Sequence, residues 1–151
     1  FREDSGGPGR YRGGLGVETQ MTNLREGKWS LSNAGRRQCP PWGLAEGAAG
    51  RASVNYMRRP GETELKPFDP SRTQCAPGTS VMVATAGGGG WGDPLDRPAA
   101  AVLNDVLEEL VTPQSARDIY GVVFSASRAV DEAATAARRA AMRAQRGSET
   151  K

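Results

Sequence analysis

Two glycine-dense segments constrain this chain more than any other feature: Arg2-Glu3-Asp4-Ser5-Gly6-Gly7-Pro8-Gly9-Arg10-Tyr11-Arg12-Gly13-Gly14-Leu15-Gly16 and Gly87-Gly88-Gly89-Gly90-Trp91-Gly92-Asp93-Pro94. Glycine lacks Cβ, so it admits another main chain or a ligand at close range, yet it loses more conformational entropy on folding than any other residue. A run of four therefore needs a reason. One reading is a flexible linker, but linkers mix glycine with serine and lack large anchors. Here Val81, Met82 and Val83 precede the run, and Trp91, Asp93 and Pro94 follow it. The ordered reading is a loop that turns N–H groups toward an anionic or carbonyl-bearing ligand, or that packs against another part of a larger site. Neither segment is a nucleotide fingerprint. The chain has no Gly-x-x-x-x-Gly-Lys-Ser/Thr, and Gly-x-Gly-x-x-Gly lacks its strand-turn-helix setting.

Twenty glycines and ten prolines against 37% hydrophobic residues leave a modest core for 151 residues, with much turn and irregular structure. The net charge is only +3, and among the basic residues only Lys28, Lys66 and Lys151 are lysine. Arginine favours bidentate pairing with carboxylates and is enriched at interfaces. The few aromatic residues do not interleave with a basic stripe, which argues against a nucleic-acid partner. No apolar run approaches a membrane span and no signal peptide opens the chain, so the expected location is cytoplasmic. The chain contains no histidine. That excludes a self-contained Ser/His or Cys/His hydrolase and a His-ligated metal site built from these residues alone. Cys39 and Cys75 lack zinc-site spacing and read as buried or half-buried thiols, with a disulfide only in an oxidising compartment.

The local signals predict an α+β fold: a glycine-rich β region over 1–94 and a helical region with one short strand over 95–151. Short β-like stretches fall within 10–22, and Lys28–Ser32 and Val54–Arg58 read as strands. Thr79–Thr85 is the best strand, rich in β-branched residues and ended by glycine. Val102, Leu103, Val106, Leu107 and Leu110 recur at helical spacing within Pro98–Val111, stopped by Pro113. Thr112 reads as an N-cap with Pro113 at the first helical position of a helix through Tyr120. Gly121–Phe124 reads as a short strand and Ala129–Arg146 as a helix. In that last helix Asp131 and Glu132 stand in the first turn and Arg138, Arg139, Arg143 and Arg146 toward the end, complementing the macrodipole. Its apolar face is mostly alanine, which buries little area. Two readings stand: a surface helix, or an arm that docks on a partner subunit.

The densest polar cluster beside a glycine loop is Arg2, Glu3, Asp4 and Ser5, flanked by Arg10 and Arg12. Glu3 or Asp4 would bind a cation or act as a general base, and Arg2 would hold a carboxylate, carboxyphosphate or phosphorylated amide. Ser5, Gly6, Gly7, Arg10, Arg12, Gly88, Gly89, Gly90 and Asp93 are the corresponding loop contacts. The competing reading is structural: ion pairs that fix the turn, and an Asp93 that hydrogen-bonds its own turn before Pro94.

Taken in order, residues 2–16, Pro40-Pro41-Trp42-Gly43-Leu44, 77–94, Val102 to Tyr120-Gly121-Val122-Val123, and Val130-Asp131-Glu132-Ala133-Ala134-Thr135 resemble the hydantoinase B and oxoprolinase family. That family includes the corresponding subunits of ATP-dependent acetone and acetophenone carboxylases. The chain departs from the family pattern at Ala45-Glu46-Gly47-Ala48-Ala49-Gly50, where Gly-Gly-x-Pro-Gly is common, and at Thr79, where aspartate is frequent. The resemblance implies the C-terminal portion of a longer subunit, an expectation that fits the start at Phe1-Arg2-Glu3-Asp4. It implies ATP and Mg on a hydantoinase A-like ATPase partner subunit. It places a divalent metal, where the family has one, in the N-terminal remainder of the same subunit, and leaves no cofactor on this chain alone. The implied chemistry is ring opening of a cyclic amide such as a hydantoin, 5-oxoproline or a lactam. Carboxylation of a ketone is the alternative, and a non-catalytic assembly module is the third reading.

Overall fold

The computed structural model describes residues 1–27, 29–31, 35–70 and 73–149. Six strands come first, β1 (Glu18–Thr22), β2 (Trp29–Leu31), β3 (Val54–Arg58), β4 (Lys66–Pro67), β5 (Thr73–Cys75) and β6 (Ser80–Ala84). The turn Pro94–Asp96 then leads to helices α1 (Ala99–Leu107), α2 (Pro113–Asp118) and α3 (Glu132–Glu149). The expected strands at Val54–Arg58 and Thr79–Thr85 form as β3 and β6. Of the expected strand 28–32, residues 29–31 form β2, while Lys28 and Ser32 lie outside the described residues. β4 and β5 carry no clear signal, being two and three residues long, β4 with Pro67 as one of its two residues.

All strand pairs are antiparallel, in a four-stranded sheet of order β1-β6-β3-β4 and a two-stranded sheet of β2 and β5. The two sheets share one small core, in which Met57, Val81 and Cys75 are buried with Leu31, Phe68 and Val83 against them. Both cysteines are free thiols. Cys75 is buried there, and burial pushes its pKa up, whereas Cys39 is exposed, contrary to the expectation of two sheltered thiols.

The glycine segments do not extend this sheet. Segments 5–16, 41–51 and 85–92 each hydrogen-bond to the other two. Gly7 N donates to Gly88 O (2.8 Å) and Gly88 N to Gly14 O (2.8 Å); Leu44 N donates to Gly90 O (2.9 Å) and Gly90 N to Ala48 O (2.9 Å). Ala48 N donates to Pro8 O (2.7 Å) and Arg51 N to Ser5 O (2.8 Å). Three mutually bonded segments close a triangle in cross-section, which a flat ladder with neighbours on two sides cannot do. Glycine is required where the chains crowd, as it is at the axis of collagen. A Cβ at Gly7, Gly13, Gly47, Gly50, Gly87, Gly89 or Gly90 would fall under 3.0 Å from main-chain atoms of a neighbouring segment. None of Gly87–Gly90 has a positive φ, so close approach, not left-handed backbone, is what requires them.

The helical region has its own core of Val102, Val111, Ala116, Tyr120 and Val122, covered by Ala99, Val106, Ile119, Phe124 and Val130. Burial pushes the Tyr120 phenol up to about 12; nearby Arg97 and Arg12 pull it down and Asp105 and Asp4 push it up. α1 stops short of Val111 because Glu109 turns left-handed (φ 55°) and Leu110 N and Val111 N both return to Asp105 O, a Schellman-like end. At α2 the expected cap forms, Thr112 Oγ1 accepting from Ser115 N at 3.0 Å with Pro113 next. The expected strand over Gly121–Phe124 reduces to one bridge between Phe124 and Val130. Gly121 is left-handed (φ 65°), and the amides that follow are taken by helices, Val122 N by Ala116 O and Val123 N by Thr135 Oγ1. Val130 is held in that bridge, so α3 starts at Glu132, with Asp131 accepting from Ala134 N at 2.9 Å.

Candidate functional site

The N-terminal cluster lies where the glycine bundle meets the helices, and most of its polar groups are spent on that junction. The Arg2 guanidinium donates to Ala52 O (2.6 Å) and Thr85 O (3.0 Å), tying together the ends of the other two bundle segments. Ser5, fully buried, donates to Arg2 O and accepts from Gly16 N. Asp4 takes a left-handed φ of 56°, which aspartate tolerates better than most residues. Its carboxylate accepts from Thr112 N (3.0 Å), Thr112 Oγ1 (2.7 Å) and Ser115 Oγ (2.8 Å). An acid from the bundle thus sits at the N-terminus of α2, where the orphan amides and the dipole favour a negative charge.

Arg12 leaves the bundle for the helices. It contacts Asp105 of α1 at 3.3 Å, and Arg97 meets the other oxygen of the same carboxylate at 2.9 Å. Asp105 is nearly buried, and the Arg12 Nε is buried with no hydrogen-bond partner. Asp105 carries no signal as a lone acid. Its one cue is position, three residues after Val102, on the face that α1 buries. Arg97 also donates to Arg10 O at 3.2 Å.

Asp93 accepts from Leu95 N (2.9 Å), its own turn, and from Arg146 Nη1 (3.0 Å) at the end of α3. Burial pushes its carboxyl up, but those two hydrogen bonds and the charges of Arg146 and Arg143 outweigh it and hold the carboxyl below its usual value. α3 is fastened along its length. Arg138 reaches Arg117 O and Asp118, Arg139 reaches Tyr120 O and Arg97 O, and Arg143 reaches Asp96. An arginine-rich arm therefore lies docked on its own chain.

Gly88, Gly89 and Gly90 stand inside the bundle with Gly6 and Gly7. Gly87 N, Gly88 N and Gly90 N already donate to carbonyls of the neighbouring segments, so they are not open donors for an anion. Arg10 is exposed, with its guanidinium 5.8 Å from the Tyr11 ring centroid. Glu3 is also exposed and turns the other way, onto a groove of about 500 Å³ lined by Leu103, Val106, Leu107, Glu109, Pro113, Phe124 and Arg128. The fold thus joins Arg2, Asp4 and Ser5 in one structural knot with the bundle glycines. Glu3 faces the groove, whereas Arg10 N donates to Gly92 O (3.1 Å), which puts Arg10 beside the Asp93 turn. Among the described residues no three His, Cys, Asp or Glu side chains could share a metal ion, and no helix is long and apolar enough to cross a membrane.

The chain is 38% identical over 146 residues to the caprolactamase subunit beta of Pseudomonas jessenii, an alignment covering 91% of this chain and 24% of that one. The crystal structure of the ATP-dependent caprolactamase from Pseudomonas jessenii superposes with a TM-score of 0.71 at 34% identity, over 91% of this chain and 24% of that one. A nucleotide-free structure of acetone carboxylase superposes with a TM-score of 0.76 at 27% identity, over 97% of this chain and 24% of that one. The chain therefore spans about a quarter of the length of these relatives. The family model described as hydantoinase B/oxoprolinase matches residues 1–94, which hold the whole bundle and end at the start of the Asp93 turn. With well over half of its length matched, the chain belongs to the hydantoinase B/oxoprolinase family.

Proposed function

We propose that the chain is the C-terminal part of a hydantoinase B-like subunit in an ATP-dependent, multisubunit cyclic amidase. The observation that supports this most is the 38% identity to caprolactamase subunit beta, which runs through both the bundle and the helices. The proposed reaction is ring opening of a cyclic amide by water, coupled to ATP. ATP and Mg belong to a hydantoinase A-like partner subunit, and any divalent metal to the N-terminal remainder. The residues present here do not fit either group: there is no phosphate loop, the amides of Gly87, Gly88 and Gly90 are occupied, and no three metal-binding side chains converge among the described residues.

The role of this portion is then to build and hold the wall of a larger site. Asp4 and Arg2 are positioning residues that fix the N-terminal loop against α2 and the bundle. Glu3 is the acid of the cluster left facing open space, and is proposed as a ligand contact. A second reading, a subunit of an ATP-dependent ketone carboxylase, is favoured by the acetone carboxylase structure, which covers 97% of the chain with a TM-score of 0.76. The two readings separate in the complete complex. The first expects ADP and a new carboxylate from ATP plus a cyclic amide, with a primary amine released from a lactam or a carbamoyl group from a hydantoin, without bicarbonate. ADP release that requires both a ketone and bicarbonate overturns it in favour of the second, and no turnover with either leaves an assembly role. The 151-residue chain by itself is expected to show no heat of binding with ATP in calorimetry.

A further inference from the structure

The groove beside Glu3 combines features that the knot at Asp4 does not use. Its floor is apolar, with Leu103, Val106 and Leu107 of α1 joined by Pro113 and Phe124, and its volume is about 500 Å³. Its charged lining is Glu3, Glu109 and Arg128. All three are exposed, and their side chains make no hydrogen bond or ion pair with a described residue. Glu109 and Arg128 hold left-handed backbone, with φ of 55° and 61°. Gly27, Gly61, Gly78, Gly92 and Gly121 take positive φ without steric cost, while outside this groove Asp4, Ala45 and Glu46 also hold it as non-glycine residues. At the groove the chain carries an acid and a base at that cost. Strained backbone that presents a charged side chain to a cavity is a reason to look for a ligand.

We propose that this groove binds a short aliphatic chain bearing both an ammonium and a carboxylate. Arg128 receives the carboxylate through its two-pronged guanidinium, Glu3 and Glu109 receive the ammonium, and the methylenes lie on Leu103, Val106 and Phe124. From Leu103 to Leu107 the floor rises about 6 Å, just over one helical turn and the scale of a chain of a few methylenes. A neutral ring offers neither charge, a plain carboxylate faces two acids, and a plain amine leaves Arg128 unmatched. This ligand class rests on the amidase reading above. Water added across a lactam C–N bond leaves a carboxylate on the carbon and an ammonium on the nitrogen of one chain. The groove therefore distinguishes the opened product from the closed substrate.

The test titrates the 151-residue chain with 6-aminohexanoate, hexanoate, hexylamine and caprolactam, following amide shifts of Leu103, Val106 and Phe124 by NMR. Saturable binding of 6-aminohexanoate, at least about tenfold tighter than the other three, is expected. Glu109→Gly and Arg128→Gly remove one charge each while relieving left-handed strain. Each should weaken binding about tenfold without lowering the melting temperature. Absence of saturable binding, equal binding of hexanoate or hexylamine, or unchanged affinity in Arg128→Gly overturns the proposal. Each of these outcomes leaves the amidase reading standing, because that reading is judged by turnover of the whole complex and this one by binding to the chain alone.

Discussion

Where the three glycine segments meet, main chain lies on main chain; where the helices meet, side chains do the joining. The bundle buries almost no hydrophobic side chain. It is held by backbone hydrogen bonds between segments far apart in sequence, and it is specified by what glycine lacks. The helical region is specified by what its residues carry: a cluster of valines around Tyr120, and arginines that reach carbonyls and carboxylates across α3. The two materials fail differently. A bundle of backbones has no rotamers with which to absorb an added atom, whereas a side-chain core or a surface ion pair relaxes by degrees.

The largest expected effect follows from that rigidity. In Gly89→Ala the new methyl meets the Trp42 carbonyl, and in Gly87→Ala the Ser5 carbonyl, both main chain. Either variant should lose more than about 4 kcal/mol of stability or fail to fold cooperatively, the rare severe class. Gly14, with nothing within 4 Å of its would-be Cβ, is the internal comparison. Gly14→Ala should be neutral or stabilising by up to about 1 kcal/mol, because it restricts the unfolded chain. Chemical denaturation of the three variants measures this, and a Gly89→Ala protein as stable as Gly14→Ala would break the contrast.

Next in size is the buried carboxylate that joins the regions. Asp105→Asn leaves Arg12 and Arg97 facing one another with little solvent access, and should cost about 3 kcal/mol, as the loss of one partner of a buried pair does. Asp4→Ala ranks below it, at about 2 kcal/mol, since it removes a helix cap and puts alanine into left-handed backbone. Asp4→Asn should cost about half as much. Asparagine tolerates that φ and its carbonyl still accepts from Thr112 N, while its NH₂ faces hydroxyls able to turn and accept. If Asp4→Asn instead keeps full stability in melting experiments while abolishing turnover of the complex, the positioning role assigned to Asp4 is wrong and the carboxylate is chemical.

The same contrast decides how much was legible in the sequence. β3 and β6 were readable because alternation and β-branched residues act locally. The start of α2 was readable because Thr112 and Pro113 are adjacent to the turn they cap. The glycine runs announced a close approach but not its partner, since no periodicity encodes that Gly7 will touch Gly88 or that Ala48 will reach Pro8. Asp4 and Arg2 stood out as a polar cluster. That Asp4 serves Thr112, 108 positions away, is a property of the fold alone. The strand expected at Gly121–Phe124 had suitable residues but no neighbouring strand to pair with.

The smallest effect tests the outer fastening of α3, where the helical region grips the Asp93 turn at the end of the bundle segment. Arg146 meets Asp93 at 3.0 Å and Arg143 meets Asp96 at 2.7 Å, with both arginines about half exposed. Exposed pairs of this kind are worth about 0.2–1 kcal/mol and weaken with salt. Arg146→Ala should therefore lower stability by less than about 1 kcal/mol, and 1 M salt should erase most of the difference. The pH dependence has a definite sign. Because the folded carboxyl of Asp93 lies below its ordinary value of 3.8, its contribution is present at and above neutral pH and is lost as the pH falls through the lowered folded value, below 3.8. In Arg146→Ala the shift shrinks, so the difference between wild type and variant should narrow in acid and persist at pH 7. If the difference instead survives in 1 M salt and below pH 3, Arg146 holds α3 through packing of its methylenes, and the arm belongs with the side-chain core rather than with the surface charges.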